Sequence, residues 1–108
     1  MRAEPKVIYF AGPLFTQAER QWNQDVAVAL RRRGFTVLLP QEQAAEYFDK
    51  QSDGFNPERD APALFSLSVE SITKADLVVA VFDGSDPDSG TSFECGVAWK
   101  HGKPIVGV

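Results

Sequence analysis

The run Leu77-Val78-Val79-Ala80-Val81-Phe82 carries no polar side chain and is bounded by Asp76 and Asp83. A β-branched stretch of that length, apolar at every position, reads as a strand covered on both faces. Lys6 to Ala11 (KVIYFA), followed by Gly12-Pro13, reads as a second buried strand running into a loop. A sheet holding two such strands needs a layer on each face, and the segments between them supply helices.

From Thr16, an N-cap with Glu19 three residues on, the apolar positions Trp22, Val26, Ala29 and Leu30 recur at helical spacing until Gly34 stops them. Phe35 to Leu39 is a strand ended by Pro40. The polar stretch from about Gln41 to Asp60 holds Gly54 and Pro57, and is either a long loop or a short helix around Ala44 to Phe48 with a loose tail. Leu64 to Lys74 places Leu64, Leu67, Ser71 and Ile72 near one face of a helix. After the Leu77 strand come the loop Asp83 to Gly90, a helix from about Thr91 to His101, Gly102 as its stop, and a last strand Pro104 to Val108.

Strands alternating with helices predict an α/β fold: a flavodoxin-like or Rossmann-like parallel sheet with helices on both faces, in three α/β/α layers. A chain of 108 residues buries one core, so a single domain over residues 1–108 is expected. Open sheets of this kind bind ligands at the carboxyl ends of their strands, here the Gly12-Pro13 loop and the loop Asp83 to Gly90. The chain stops in its fourth strand, so either the fold is minimal or a C-terminal part of it is absent. An uncovered last strand makes a homo-oligomer the expectation.

A net charge of −4 leaves no basic field to hold a nucleic acid polymer or an anionic membrane, and a small uncharged ligand fits better. The basic run Arg31-Arg32-Arg33 precedes Gly34 and complements the end of a helix dipole. One Cys and one His exclude an internal disulfide and a zinc cluster, and a reducing, cytoplasmic setting is the default. The N-terminal MRAEPK lacks an apolar signal core, and no apolar run approaches the roughly 18 residues needed to span a bilayer, so neither export nor membrane insertion is expected. No G-x-G-x-x-G, P-loop or nucleophilic-elbow serine is present, and no cofactor is expected.

The densest polar cluster is Asp83, Asp86, Asp88 and Glu94, at the strand-to-helix turn on the functional edge of the sheet. Helix capping by Asp88 or Ser89 accounts for one or two of these acids. Glu94 lies in the first turns of a helix, with the small Gly96 and Ala98 nearby. There the helix dipole keeps a carboxylate ionised, and Glu94 is either a nucleophile or simply helix-start electrostatics. Paired carboxylates suit glycosyl transfer, in which one attacks the anomeric carbon. They also hold Mg²⁺ with a substrate phosphate, so a metal-dependent reading stays open at this point.

Ile8-Tyr9-Phe10-Ala11-Gly12-Pro13-Leu14-Phe15 and Asp86-Pro87-Asp88-Ser89-Gly90-Thr91-Ser92-Phe93-Glu94-Cys95-Gly96-Val97-Ala98, with Gly102-Lys103-Pro104 beyond, resemble the nucleoside 2-deoxyribosyltransferase family. The resemblance runs through the whole chain in order. It implies a ping-pong exchange on a 2′-deoxynucleoside and a free nucleobase, with Glu94 attacking C1′ and water replacing the second base in a slow hydrolysis. It further implies that Asp88 supports the sugar and passes a proton to the base, that the Tyr9 hydroxyl positions the nucleophile, and that Phe15 packs on the base. Gly12, Pro13, Asp86, Ser89 and Gly90 complete the implied substrate-binding set, with no metal ligand among them.

Bland readings stand beside these roles. Tyr9 also fits a core position with its hydroxyl at the strand end, and Phe15 a staple on the first helix. Trp22 is expected in the core, His101 as a helix-terminal cation, Cys95 as a packing residue, and Trp99 in the core or at a subunit contact.

Two departures from the family pattern bear on function. Ser68 stands where some relatives carry an Asp that helps protonate the base. Family members also run longer, and residues past the fourth strand, from a neighbouring subunit, complete their 5′-hydroxyl site. One rival is a 2′-deoxynucleoside 5′-monophosphate N-glycosidase, whose relatives carry a Ser-x-Arg-Gly-Gly loop where this chain has Gly12-Pro13-Leu14-Phe15-Thr16. The other is a non-catalytic nucleoside sensor.

Overall fold

Alternation along the first strand divides the core in two. In the computed structural model, which describes residues 6–51 and 53–108, β1 (Val7–Ala11) sends Ile8 and Phe10 to one side of the sheet and Tyr9 and Ala11 to the other. All four are buried, as a strand covered on both faces requires. β1 pairs in parallel with β2 (Thr36–Leu38) and with β3 (Leu77–Ala80), and β3 pairs in parallel with β4 (Ile105–Gly107). The sheet order is β2-β1-β3-β4. The chain moves from β1 outward to β2, then returns to the other flank of β1, which puts the topological switch point at the carboxyl ends of β1 and β3.

The first helix, α1 (Gln17–Arg32), covers the Ile8/Phe10 face through Val26, Ala27 and Leu30. It begins on the full capping box of Thr16 and Glu19, and the chain turns beyond it through Gly34 at φ +97°. The inward stripe is shifted from the expected one. Asn23 and Ala27 are the buried positions, whereas Ala29 is exposed and Trp22, expected in the core, is 46% exposed beside the Phe10 ring. Asn23 is buried because its amide donates to the Pro13 carbonyl (2.9 Å) and to Gln41 (3.2 Å), tying α1 to the loop after β1. Of the basic run, Arg31 pairs with Glu42 at 2.5 Å and donates to the Val37 carbonyl.

The opposite face carries α3 (Pro57–Lys74) and α4 (Ser89–Lys100), which contribute Ile72 and Ala98 to the core around Tyr9 and Ala11. The polar stretch after β2 resolves into a full helix, α2 (Pro40–Asp49), and α3 begins seven residues before the expected Leu64. Both starts put proline at N1, where its fixed φ suits a helix and its missing N–H is not needed. α2 bridges the two layers: Gln24 and Arg31 of α1 bond Glu42, and Gln43 bonds Ser71 of α3. β3 and β4 also bond beyond their last residues, with Phe82 N–H donating to the Val108 carbonyl. Among the described residues no helix is long and apolar enough to cross a membrane.

The α2–α3 junction closes on Asp60, a fully buried carboxylate that accepts from Tyr47 Oη (2.6 Å), Asn56 N (2.7 Å) and Arg59 Nε (2.6 Å). The Arg59 partnership above all holds this carboxyl far below the usual range, so its contribution to stability is present at neutral pH and lost only in strong acid. Asp60→Asn removes the charge and puts an amide nitrogen, itself a donor, where one carboxylate oxygen accepts two hydrogen bonds. The expected result is amide exchange faster by about tenfold or more in residues 53–60, with the sheet unaffected. Unchanged exchange there would mean that the junction is held by other contacts.

Candidate active site

Glu94 lies one turn into α4, on the side facing β1. Asp88 sets the start of that helix: its Oδ2 accepts from the Thr91 backbone N–H (3.0 Å) and the Thr91 hydroxyl (3.2 Å). The capping reading of Asp88 therefore holds. Its charge also opposes ionisation of Glu94, so the two carboxyls share one neighbourhood.

Tyr9 is fully buried on β1, and its hydroxyl donates a hydrogen bond to Glu94 Oε2. The contact joins residues 85 positions apart, and it explains how a tyrosine sits in an otherwise apolar core with its polar end satisfied. Burial pushes the Glu94 carboxyl up to about 6, the Tyr9 hydrogen bond pulls it back, and the Asp88 charge adds to burial. Burial, then the charge of Glu94 and its hydrogen bond, keep the Tyr9 phenol protonated throughout the usable pH range, while the Ser68 hydroxyl works the other way.

Glu94 opens into a cavity of about 210 Å³ between α2, α3 and the loop after β1. Leu14, Pro40, Ala44, Leu64 and Leu67 form its apolar wall, and Gln43 and Ser68 are its other polar side chains. An ionised carboxylate in such surroundings has lost most of its water and is correspondingly reactive toward a carbon centre that gains positive charge. Among the described lining residues none is cationic. Ser68 was visible through the family resemblance, whereas Gln43 was missed because a helix was expected only around Ala44 to Phe48, if at all. Pro40 directly after a strand was the available sign.

The structure brings Tyr9, Glu94 and Asp88 together and spreads the other expected residues around them. Gly12 is buried at the end of β1, and Pro13 lies on the other side of the sheet edge with Asp83, Asn23 and Trp22 around a separate cavity of about 260 Å³. Asp86, Ser89 and Gly90 are exposed on the β3–α4 loop and the first turn of α4. The acidic cluster does not converge as a unit: Asp83 and Asp86 face solvent, and only Asp88 stands with Glu94. Phe15 is 73% exposed. It is not a staple on α1, since the position it would pack against is Arg20, whose guanidinium donates instead to the Leu14 and Phe15 carbonyls. Cys95 packs against the core around Tyr9, His101 caps α4, and Trp99, 80% exposed, is outside the core.

A family model for nucleoside 2-deoxyribosyltransferases matches residues 8–108, which include every residue of this constellation. The chain belongs to the nucleoside 2-deoxyribosyltransferase family. Its fold agrees with solved members. The 2-deoxyribosyltransferase from Bacillus psychrosaccharolyticus superposes with a TM-score of 0.77 at 27% identity, over 94% of this chain and 70% of that one. A conserved protein from Enterococcus faecalis V583 gives 0.77 at 34% identity, over 95% of this chain and 62% of that one. The CMP N-glycosidase from Clostridium botulinum shares the fold, with a TM-score of 0.65 at 22% identity over 94% of this chain and 70% of that one. This deoxyribosyltransferase-family chain thus spans between 62% and 70% of the length of these neighbours. None of the curated proteins matches it significantly.

Proposed function

We propose that this family member exchanges the base of 2′-deoxynucleosides through a covalent deoxyribosyl-Glu94 intermediate. The observation that carries the reading is the hydrogen bond from buried Tyr9 to Glu94 Oε2 at the mouth of an uncharged cavity. It holds one carboxylate oxygen and leaves the other free to attack.

In the first half-reaction Glu94 Oε1 bonds to C1′ as the C1′–N bond breaks, and the bonding pair leaves with the base, which takes up a proton. In the second, a ring nitrogen of the incoming base attacks C1′, the C1′–O bond returns its electrons to the Glu94 carboxylate, and the nitrogen sheds its proton. Asp88, with Oδ2 on the helix cap, has Oδ1 left for the sugar or for that proton. Gly12, Pro13, Phe15, Asp86, Ser89 and Gly90 are the further substrate contacts, no metal ion or cofactor takes part, and the working form is a homo-oligomer. The uncharged wall favours a nucleoside over its 5′-phosphate, whose desolvation would call for cationic partners.

The test is incubation with 2′-deoxyinosine, with and without adenine, beside inosine and 2′-deoxyinosine 5′-monophosphate. Deoxyadenosine formed only when adenine is present is the expected result. Hypoxanthine released at the same rate without acceptor would make the protein a hydrolase. Cleavage of the 5′-phosphate alone would replace the reading by the nucleotide N-glycosidase, and binding without turnover would make the protein a sensor.

A further inference from the structure

The loop between β1 and α1 leaves little of its backbone to water. Asn23 donates to the Pro13 carbonyl (2.9 Å). Arg20 Nη1 donates to both the Leu14 and the Phe15 carbonyls, each at 3.0 Å. Glu19 Oε1 accepts from the Phe15 and Thr16 N–H groups, at 3.1 and 2.8 Å. Side chains from the first two turns of α1 thus grip this segment by its donors and by its acceptors.

The fold alone does not call for such a grip. Arg20 lies near the start of α1, where the positive end of the helix dipole disfavours a cation. What it holds is a loop whose Phe15 ring stands in solvent and adds nothing to the core, next to Leu14, which lines the Glu94 cavity. An exposed apolar ring on a backbone fixed at both its N–H and its carbonyl is already ordered for a flat apolar ligand, so binding loses less entropy there.

We propose that Arg20 is a positioning residue for the substrate: by holding the Leu14 and Phe15 carbonyls it sets the wall of the Glu94 cavity, and the aromatic ring beside that wall, in their binding arrangement before the nucleoside arrives. Arg20 acts through Leu14 and Phe15 without touching substrate. Glu19 steadies the same turn from its N–H side, and its negative charge suits the helix start. The proposal rests on the reading of the Glu94 cavity as the nucleoside site. Leu14 and Phe15 make and break no bond, so loosening them weakens the ground state and the transition state alike, and the loss falls on KM and not on kcat.

The test compares Arg20→Met, which keeps a long side chain of similar helix propensity without a donor, with Arg20→Lys, which returns a charged nitrogen able to serve both carbonyls. Amide exchange at Phe15 and Thr16, the affinity for 2′-deoxyinosine without acceptor base, and the kcat and KM of base release are measured on the full chain. Arg20→Met is expected to speed exchange at the two amides about tenfold or more, and to raise Kd and KM about fivefold or more with kcat within about twofold of the wild type. Arg20→Lys brings these values most of the way back. Combined with Phe15→Ala, Arg20→Met costs less affinity than the two single effects summed. Unmoved exchange, an unmoved Kd despite faster exchange, a loss carried by kcat, or strict additivity with Phe15→Ala overturns the proposal. The binding measurement needs no chemistry, so a wild type that binds the nucleoside without turning it over counts against the proposed function and still decides the role of Arg20. A wild type that binds no nucleoside overturns both.

Discussion

Glu94→Gln is expected to lose at least about a thousandfold in base release while unfolding less readily than the wild type at pH 8. The first half follows from the chemistry: an amide oxygen is a poor nucleophile and cannot carry the deoxyribosyl group as an ester. The second half follows from burial. The folded chain holds the Glu94 carboxyl at about 6 against an ordinary 4.5. Between those values the folded state binds more protons than the unfolded one, so stability falls as pH rises through the interval. Above about pH 6 the ionised carboxylate costs the fold roughly 2 kcal/mol, the order of magnitude set by a displacement of this size.

Gln keeps the shape and the contact with Tyr9 and never ionises, so the variant should gain about that much at pH 8 and almost nothing at pH 4. Urea unfolding at the two pH values, with base release measured in parallel, checks both halves. For the wild type the same titration predicts base release falling away below about pH 6, as Glu94 protonates. Substantial activity in Glu94→Gln would move the nucleophile elsewhere, and equal stability at pH 8 would mean that the site does not strain against its own charge. A site of this kind trades stability for reactivity.

The parts of this molecule legible in the sequence are those governed by short-range rules. The two buried strands announced themselves by unbroken apolar runs, α1 by the Thr16/Glu19 capping box, and the carboxyl-end loops by Gly12-Pro13 and the acidic turn. Glu94 and Asp88 were visible because they share one turn of chain. The contact that joins Tyr9 to Glu94 spans 85 residues and could be named only through likeness to a family.

The errors fall where tertiary contacts override local pattern. The sequence leaves α2 open between a loop and a short helix around Ala44 to Phe48 because its first turn is polar and bridges layers: Gln41 and Glu42 bond α1 and Gln43 bonds α3, so glutamines and acids stand where periodicity looks for apolar side chains. The start of α3 was masked by Pro62, which removes a hydrogen bond from the helix interior, although Asn56-Pro57 offered a cap and an N1 proline. Trp22 looked like core because it is large and apolar. Asn23 took the inward position because it holds the Pro13 carbonyl, a requirement invisible before the loop is placed.

Gly12→Val is expected to be the most damaging single change on the rim of the site, and the reason is space, not backbone freedom. Gly12 is absent from the glycines at positive φ, which are Gly34, Gly54, Gly84 and Gly102. A Cβ at Gly12 would stand 2.9 Å from Val81 Cγ2 and 3.2 Å from Phe10 Cε1. Both neighbours belong to the core beneath α1, and neither is a flexible end that swings aside. Gly12→Ala should therefore cost about 1–3 kcal/mol, and Gly12→Val more, by overpacking. Relief comes most easily by displacing the loop that follows, which carries Leu14 into the wall of the Glu94 cavity, so KM for the nucleoside should rise along with the loss of stability. The cause can be isolated with Val81→Ala, which removes the obstructing methyl. The double variant Gly12→Ala/Val81→Ala should be more stable than the two single effects summed, by about 1 kcal/mol or more in a denaturant-unfolding cycle. Strict additivity would show that the two side chains do not compete for the same space, and that the glycine is required there by the loop or its ligand.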